Sequence, residues 1–575
     1  MQPPTFFRRS ELASALWGFR GPFAVVIVFS FIANLLMLVP TVYMLQVYDR
    51  VMVSRSELTL FSVSLITLFL FGALCTSEWM RTRVLVYAGV RFDQQLSTRI
   101  FNASFESYLA QSSAGPSRAA TDLLQIRQFL TGQGIFAFLD APWTPIYLAV
   151  LFMMHPALGY LSLGFAILQC AMVWWGHRST ARLTEASQDA QTDAQVFIQN
   201  KLRNAEVIEA MGMIDGLRAR WRRLQTTYLG RSGDAQSVAN RVQAISKFMR
   251  YSQQSFSLGL GALLVISGEL TPGSMVAANV LSSRALAPLD LLVGVWRAFV
   301  NVRAAFLRLE KLLQQFPERD PSLKRVAPNG EITLKNVFAM AEGRADPILK
   351  EIDLHVPAGQ IVAVVGPSGS GKSTLERVIV GIWPKVAGEV LLDGLPISGW
   401  DRPELGPHIG YLPQDIELLE GTIAENIARF AKVDSEKVIE AARMAGLHDM
   451  ILRFPRGYDT PIGEAGRLMS GGQRQRIGLA RAVYGRPPLV LLDEPNANLD
   501  DQGEQALLRT LHALKEGGTT VFMAIHRSSA LQAADRVIVL RDGRIVADGA
   551  PADVMPPVRP VQHNAPPDAE ALPAG

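Results

Sequence analysis

Runs of about twenty apolar residues recur through the first 300 positions of this chain, and nothing else in the sequence limits its fold so tightly. A helix rising 1.5 Å per residue needs about 20 such residues to cross a hydrocarbon layer ~30 Å thick. Six spans are predicted, near residues 22–46, 58–77, 136–154, 157–176, 251–268 and 273–295, the last two the least apolar. The composition agrees: 49% of 575 residues are hydrophobic and 19% charged, apolar for a wholly soluble protein of two or three units. The net charge of +4 decides little about partners. Cys75 and Cys170 both lie in apolar runs, which argues against a disulfide framework or a thiolate metal site and for packing roles.

Basic residues set the orientation, because Lys and Arg in short flanks favour the cytoplasmic side. Arg8, Arg9 and Arg20 place the N-terminus inside. The stretch after the second span carries Arg81, Arg83, Arg91, Arg99, Arg118 and Arg127, and residues 177–250 carry a dozen more, so both face the cytoplasm. His155-Pro156 and the run from Glu269 to Pro272 are too short to be more than turns on the far side. Both inner stretches have helical spacing and few Pro or Gly residues, so the spans are expected to continue into the cytoplasm as long helices. The first apolar run is long and lacks a small-residue cleavage site, which reads as a retained anchor.

Four parts follow: a transmembrane domain over 1–315, a linker over 316–330, an α/β domain over 331–550, and a tail over 551–575 rich in Pro and Ala and expected to be disordered. In the α/β domain, the strand pattern Ile361–Val365 runs into Gly366, Pro367, Ser368, Gly369, Ser370, Gly371, Lys372, Ser373 and Thr374, a glycine loop opening a helix. Glycines let backbone N–H groups close on phosphates, and the positive end of the helix adds attraction. Lys372 then reaches the β and γ phosphates and Ser373 offers its hydroxyl to Mg²⁺, making ATP and Mg²⁺ the expected ligands. A chance glycine turn is the bland alternative, and the strand-loop-helix setting weighs against it. Downstream, the buried-strand pattern Leu489–Leu492 delivers Asp493, for Mg²⁺, and Glu494, to polarise the attacking water.

Between these motifs stands Met469-Ser470-Gly471-Gly472-Gln473, and here residues 331–550 resemble the ABC ATPase family, whose signature usually begins with Leu. Met keeps the apolar volume. Gln414 in Tyr411-Leu-Pro-Gln-Asp, the run Asn498-Leu-Asp500 and His526 match further motifs in family order. The resemblance implies that Gln414 senses the γ-phosphate and Mg²⁺, that His526 contacts the γ-phosphate, and that Ser470, Gly471, Gly472 and Gln473 face ATP held by a second chain. One copy of each motif therefore implies a homodimer with two equivalent sites. The family often stacks a ring on adenine, and Phe338 stands near that place, equally readable as a core strand residue.

One ATPase fused after six spans resembles the ABC exporters, implying a membrane α-helical six-span exporter domain (type I ABC exporter, type IV ABC transporter fold) joined to an α/β P-loop ATPase. The runs Val42–Val51 and Phe138–Tyr147 resemble the type I secretion ATPases, in particular exporters of RTX proteases and lipases. That resemblance implies an unfolded polypeptide cargo with a C-terminal signal, a periplasmic membrane-fusion protein, an outer-membrane channel, an inner-membrane location in the lipid bilayer, and no nucleic-acid partner. About 20 residues precede the first span, so no leader peptidase domain is expected. Asp140 is expected to face an aqueous passage or the headgroups, with Pro142 and Pro145 kinking the helix into a portal or merely bending it. Tyr48, Asp49 and Arg50 read as a gate, a partner contact or an interfacial anchor. Glu206–Gly212 and Thr121–Ile126 fall where the family's ATPase-docking helices sit. A lipid, peptide or drug exporter of the same fold, and an ATP-gated channel with incidental hydrolysis, are the rival readings.

Overall fold

The structure, a computed structural model, describes residues 10–110, 118–202, 204–318, 326–341, 346–383, 386–463, 466–497, 499–525 and 530–554. The chain forms two compact units, residues 1–108 with 114–318, and residues 319–575 with 109–113. The division falls inside the expected linker, whose residues 319–325 lie outside the described part.

The first unit is helical. Its elements are α1 (Glu11–Gly18), α2 (Arg20–Leu36), α3 (Val39–Gln46), α4 (Glu57–Ala110), α5 (Ala119–Thr131), α6 (Gln133–Asp140), α7 (Thr144–Met154), α8 (Pro156–Leu202), α9 (Ala205–Ala210), α10 (Ile214–Ile266) and α11 (Pro272–Gln315). At 54 residues, α4 is about 80 Å long, more than twice the hydrocarbon thickness, so it must continue beyond the lipid. Pro40, which cannot continue a helix interior, stands at the start of α3 after the break at Met37–Leu38. Among the described residues, five stretches are long and apolar enough to cross a membrane: Arg20–Ser54, Glu57–Leu109, Gln133–Met154, Pro156–Leu202 and Pro272–Gln315. The remaining expected span, 251–268, forms the last turns of α10 and is not among them by composition. The polar residues responsible face inward: Gln253 and Ser257 are buried, and Gln253 donates to Ser282 of α11, which also pairs with Ser162 of α8 at 2.6 Å.

The two tight turns meet. His155 ends α7 in extended backbone, Pro156 opens α8, and the His155 Nε2 lies 2.9 Å from Glu269 Oε2 in the α10–α11 turn. Asp49 reaches the same place: its carboxylate accepts the Gly273 N–H at 2.9 Å and the Thr271 hydroxyl at 2.6 Å, capping the positive end of α11. Only glycine permits this approach, since a Cβ at position 273 would stand 2.5 Å from the Asp49 carboxyl carbon. Asp49 therefore caps α11, while Tyr48 and Arg50 beside it are exposed.

Asp140 corrects its expectation. It is 7% exposed, accepts Asn34 Nδ2 at 2.7 Å, and pairs with Arg81 at 3.3 Å, while the Arg81 guanidinium lies 4.4 Å above the Phe136 ring. Within its unit it faces Asn34 and Arg81, partners that offset the cost of burying a carboxylate. Pro142 is exposed in the 3₁₀ turn Ala141–Trp143 that separates α6 from α7. Thr121–Ile126 divides between two faces: Asp122, Leu123 and Ile126 are buried, with Asp122 holding Arg308 of α11 through bonds of 2.9 and 2.6 Å, while Thr121 and Leu124 are exposed. By contrast, α9 buries no residue, and Met211 beside it is 71% exposed. Cys75 and Cys170 are unpaired and exposed, not packing residues.

Among its described residues the second unit holds two sheets. Strands β1 (Ile332–Ala339), β2 (Leu349–Val356), β4 (Val386–Leu392) and β5 (Leu395–Pro396) form an antiparallel sheet in the order β2-β1-β4-β5. The six-stranded sheet runs β10-β9-β3-β8-β7-β6, with β3 (Ile361–Val365), β6 (Ile409–Leu412), β7 (Leu489–Asp493), β8 (Thr520–Ala524), β9 (Arg536–Arg541) and β10 (Arg544–Gly549). Every residue of β3, β7 and β8 is buried, as a parallel sheet covered on both faces requires. Alternate residues serve separate cores: Ile361, Ala363 and Val365 pack on one face, Val362 and Val364 on the other. The expected tail begins with a short helix, Pro551–Val554, and residues 555–575 lie outside the described part.

Candidate active site

Strands β3, β8, β7 and β6 are mutually parallel, so their C-terminal ends share one edge. That edge is where an open α/β sheet binds ligands. From β3 the chain enters the glycine loop and then α12 (Lys372–Val380); β7 ends in Asp493 and is followed by Glu494; β6 is followed by Pro413 and Gln414, which is exposed. Motifs spread over 130 residues thus converge by topology alone.

The loop is tightly built. A Cβ at Gly366 would sit 2.1 Å from the Leu540 carbonyl oxygen, so no other residue fits there. Lys372 is 6% exposed, and its ammonium group donates to the carbonyls of Gly366 and Pro367 at 3.0 and 3.2 Å. Burial pulls the Lys372 pKa down, while nearby Glu494, Asp493 and Glu376 push it up. The Ser370 hydroxyl is buried without a hydrogen-bond partner among the described residues, ready for a ligand oxygen.

Asp493 is buried, and neither of its carboxylate oxygens has a hydrogen-bond partner at normal geometry among the described residues. Burial raises its pKa; the Glu494 charge adds to this, and Ser373, Arg377 and Lys372 act against it. Orphaned, buried carboxylate oxygens beside a serine hydroxyl fit a divalent cation well. Ser373 and Asp493, with Gln414, would hold Mg²⁺, which neutralises charge on the phosphate oxygens when bound.

Glu494 takes a left-handed backbone, φ +50°, unusual and costly for a residue with a Cβ. Three interactions hold it there. Its N–H donates to the Ala524 carbonyl at 3.0 Å, its carbonyl accepts from Ala497 at 3.0 Å, and Gln475 Nε2 donates to the carbonyls of Glu494 and Pro495 at 3.3 and 3.1 Å. The sequence reading missed Gln475; its only signal there is an inward position on the helix that follows the signature. Gln475→Ala is expected to lower kcat for ATP about ten-fold, for ~1.4 kcal/mol of lost positioning, with KM within about two-fold. Steady-state hydrolysis measures both, and an unchanged kcat would show that the turn holds itself.

Ser470 is exposed at the N-cap of α13 (Gly471–Val483): its hydroxyl accepts the Gln473 N–H at 3.3 Å, and Gln473 Oε1 accepts the Ser470 N–H at 2.9 Å. This reciprocal cap leaves Gly471 and Gly472 at the open, positive end of a helix, the arrangement that receives anions. Met469 is 6% exposed and packs in the core, consistent with its apolar role. Asp500 caps α14 (Asp501–Glu516) through Gly503 N–H at 2.8 Å. Phe338 is half-buried on β1, on the face opposite buried Val337 and Ala339. Asn498 and His526 lie outside the described residues.

A second missed residue is Glu376 on α12. It is fully buried, and burial, helped by the Asp493 charge, raises its pKa well above the usual carboxylate range, opposed by the Ala524 N–H and Arg377.

Comparison with known proteins agrees with this geometry along almost the whole chain. Residues 349–497 match the ABC transporter family and residues 23–289 the ABC transporter transmembrane region. The type I secretion system ATP-binding protein PrsD of Rhizobium meliloti (strain 1021) is 41% identical over 558 residues, 96% of each chain. The leukotoxin translocation ATP-binding protein LktB of Mannheimia haemolytica is 31% identical over 541 residues, 92% of this chain and 76% of its own. In fold, the chain is similar to a bacterial Atm1-family ABC exporter with ATP bound, with a TM-score of 0.80 and 23% identity over 93% of this chain and 96% of that one.

Proposed function

We propose, from the premise that this chain belongs to the ABC transporter family and within it to the type I secretion ATP-binding proteins, that it exports an unfolded polypeptide by hydrolysing ATP. The observation that carries the cargo class is the 41% identity to PrsD, which spans 96% of both chains and so includes the membrane half. Hydrolysis rests on the site itself: a phosphate loop, a buried carboxylate suited to Mg²⁺, and a glutamate fixed beside them.

Two copies of the chain complete two sites, with Ser470, Gly472 and their neighbours of one copy facing the ATP held by Lys372 and Ser373 of the other. Glu494 orients and deprotonates the attacking water, and His526 and Gln414 contact the γ-phosphate. Phe338 supports the adenine. ATP draws the ATPase units together and hydrolysis releases them. The basic inner flanks support a bacterial inner-membrane location with the ATPase in the cytoplasm. A periplasmic membrane-fusion protein and an outer-membrane channel complete the path, and an RTX-type passenger with a C-terminal signal is the cargo.

Quantitative proteomics of the culture medium, wild-type strain against Glu494→Gln at matched expression, tests this. One or a few large proteins are expected to vanish from the medium with lysis markers unchanged. An unchanged protein profile would overturn the polypeptide cargo and direct the search to lipids and small molecules.

A further inference from the structure

The hydrolysis scheme leaves Glu376 unused, although it is a fully buried carboxyl in the ATPase unit. It sits one turn along α12 from Lys372 and Ser373 and has no exposed surface. Its Oε1 accepts the Ala524 N–H at 2.9 Å, and its Oε2 has no hydrogen-bond partner among the described residues. Ala524 closes β8, where it stands in register with Val364 of β3 and Asp493 of β7. The carbonyl of that same Ala524 accepts the Glu494 N–H at 3.0 Å. Two hydrogen bonds through one residue therefore connect the phosphate-loop helix to the backbone of Glu494.

We propose that Glu376 is a positioning residue for ATP hydrolysis, tying the strand end that carries Glu494 to the helix that carries Lys372 and Ser373. The inference rests on the reading of the site as an ATPase and adds a residue that no phosphate-loop motif specifies. An apolar side chain would fill the space without the cost of burying a carboxyl, so the carboxyl is justified only by what it bonds. What it bonds is the last N–H of β8, at the point where the sheet hands over to the catalytic turn. Glu494 needs such support, because its left-handed backbone is unfavourable unless its neighbours fix it.

The test is steady-state ATP hydrolysis by the purified full chain, with active sites counted by ATP-binding stoichiometry. Glu376→Leu, which removes the acceptor, is expected to lower kcat about ten-fold with KM for ATP within about two-fold. Glu376→Gln, which keeps an acceptor oxygen in the same place, is expected to restore most of that loss. A role in stability alone would reduce the number of active sites and leave kcat per site unmoved. The proposal is overturned if the Leu variant turns over like wild type, if Gln falls as far as Leu, or if only KM changes. Should the Leu variant not fold, Glu376→Asp takes its place: one methylene shorter, it is expected to lose reach and turnover, and wild-type kcat in it would overturn the proposal equally. Glu494→Gln, measured alongside, separates the two readings. If it leaves turnover intact, the site assignment itself fails and this inference falls with it.

Discussion

Glu494→Gln is expected to lower ATP turnover by about 10³-fold while leaving ATP binding nearly unchanged, the loss typical of removing a general base. The amide is the right size for the half-buried position and can adopt the same left-handed turn, held by Ala524, Ala497 and Gln475. What it lacks is a lone pair basic enough to take a proton from water. The ATP-bound state should therefore accumulate, and, if two chains close around two nucleotides, the paired form should persist. Size-exclusion chromatography of the detergent-purified protein with ATP and Mg²⁺ would show it, beside a phosphate-release assay. Turnover within about ten-fold of wild type would remove Glu494 from the role of base. Retained ATP without stable pairing would instead count against the signature of one chain acting on another.

The second large effect lies in the membrane unit. Asp140→Ala is expected to destabilise that unit by about 2–4 kcal/mol, because it leaves the buried Arg81 cation with only the distant, half-exposed Glu78 carboxylate at 3.8 Å. Both side chains are 10% exposed, so solvent cannot take over. Asn34 also loses the acceptor of its 2.7 Å bond, although it keeps Ser30, and its carbonyl keeps the Tyr147 hydroxyl at 2.8 Å. The double change Arg81→Met with Asp140→Ala removes both charges and is expected to recover most of the loss, as buried pairs often do when replaced together. Thermal unfolding in detergent, followed by tryptophan fluorescence, measures the cycle. If the single variant melts like wild type, the pair contributes nothing to stability; if the double melts no higher than the single, the two residues are not coupled.

The resemblance-based docking assignment shows how function can be legible while its partner is not. Thr121–Ile126 has the helical spacing expected of it, yet half of its side chains are spent inside its own unit, where Asp122 meets Arg308 at a separation of 186 residues. Position in sequence placed the segment correctly between two spans; only packing shows which face remains. The weak fifth span has the same origin. Its Gln253 and Ser257 lower apolarity, and only the tertiary fold reveals that both are buried, Gln253 against Ser282 of α11.

The sequence by itself determined the features whose physics is local. Apolar length sets which helices can cross a bilayer, and a strand, a glycine loop and a helix in succession make a phosphate site whatever surrounds them. Asp493 and Glu494 follow from the same rule, standing at the end of a strand buried on both faces. Tertiary structure alone decided the long-range polar pairs: Asp140 with Arg81 across 59 residues, Glu376 with Ala524 across 148, and Asp49 with Gly273 across 224. The reason is energetic. A buried polar group must find a partner, and no periodicity along the chain records which partner it finds; that is settled when the helices and strands pack.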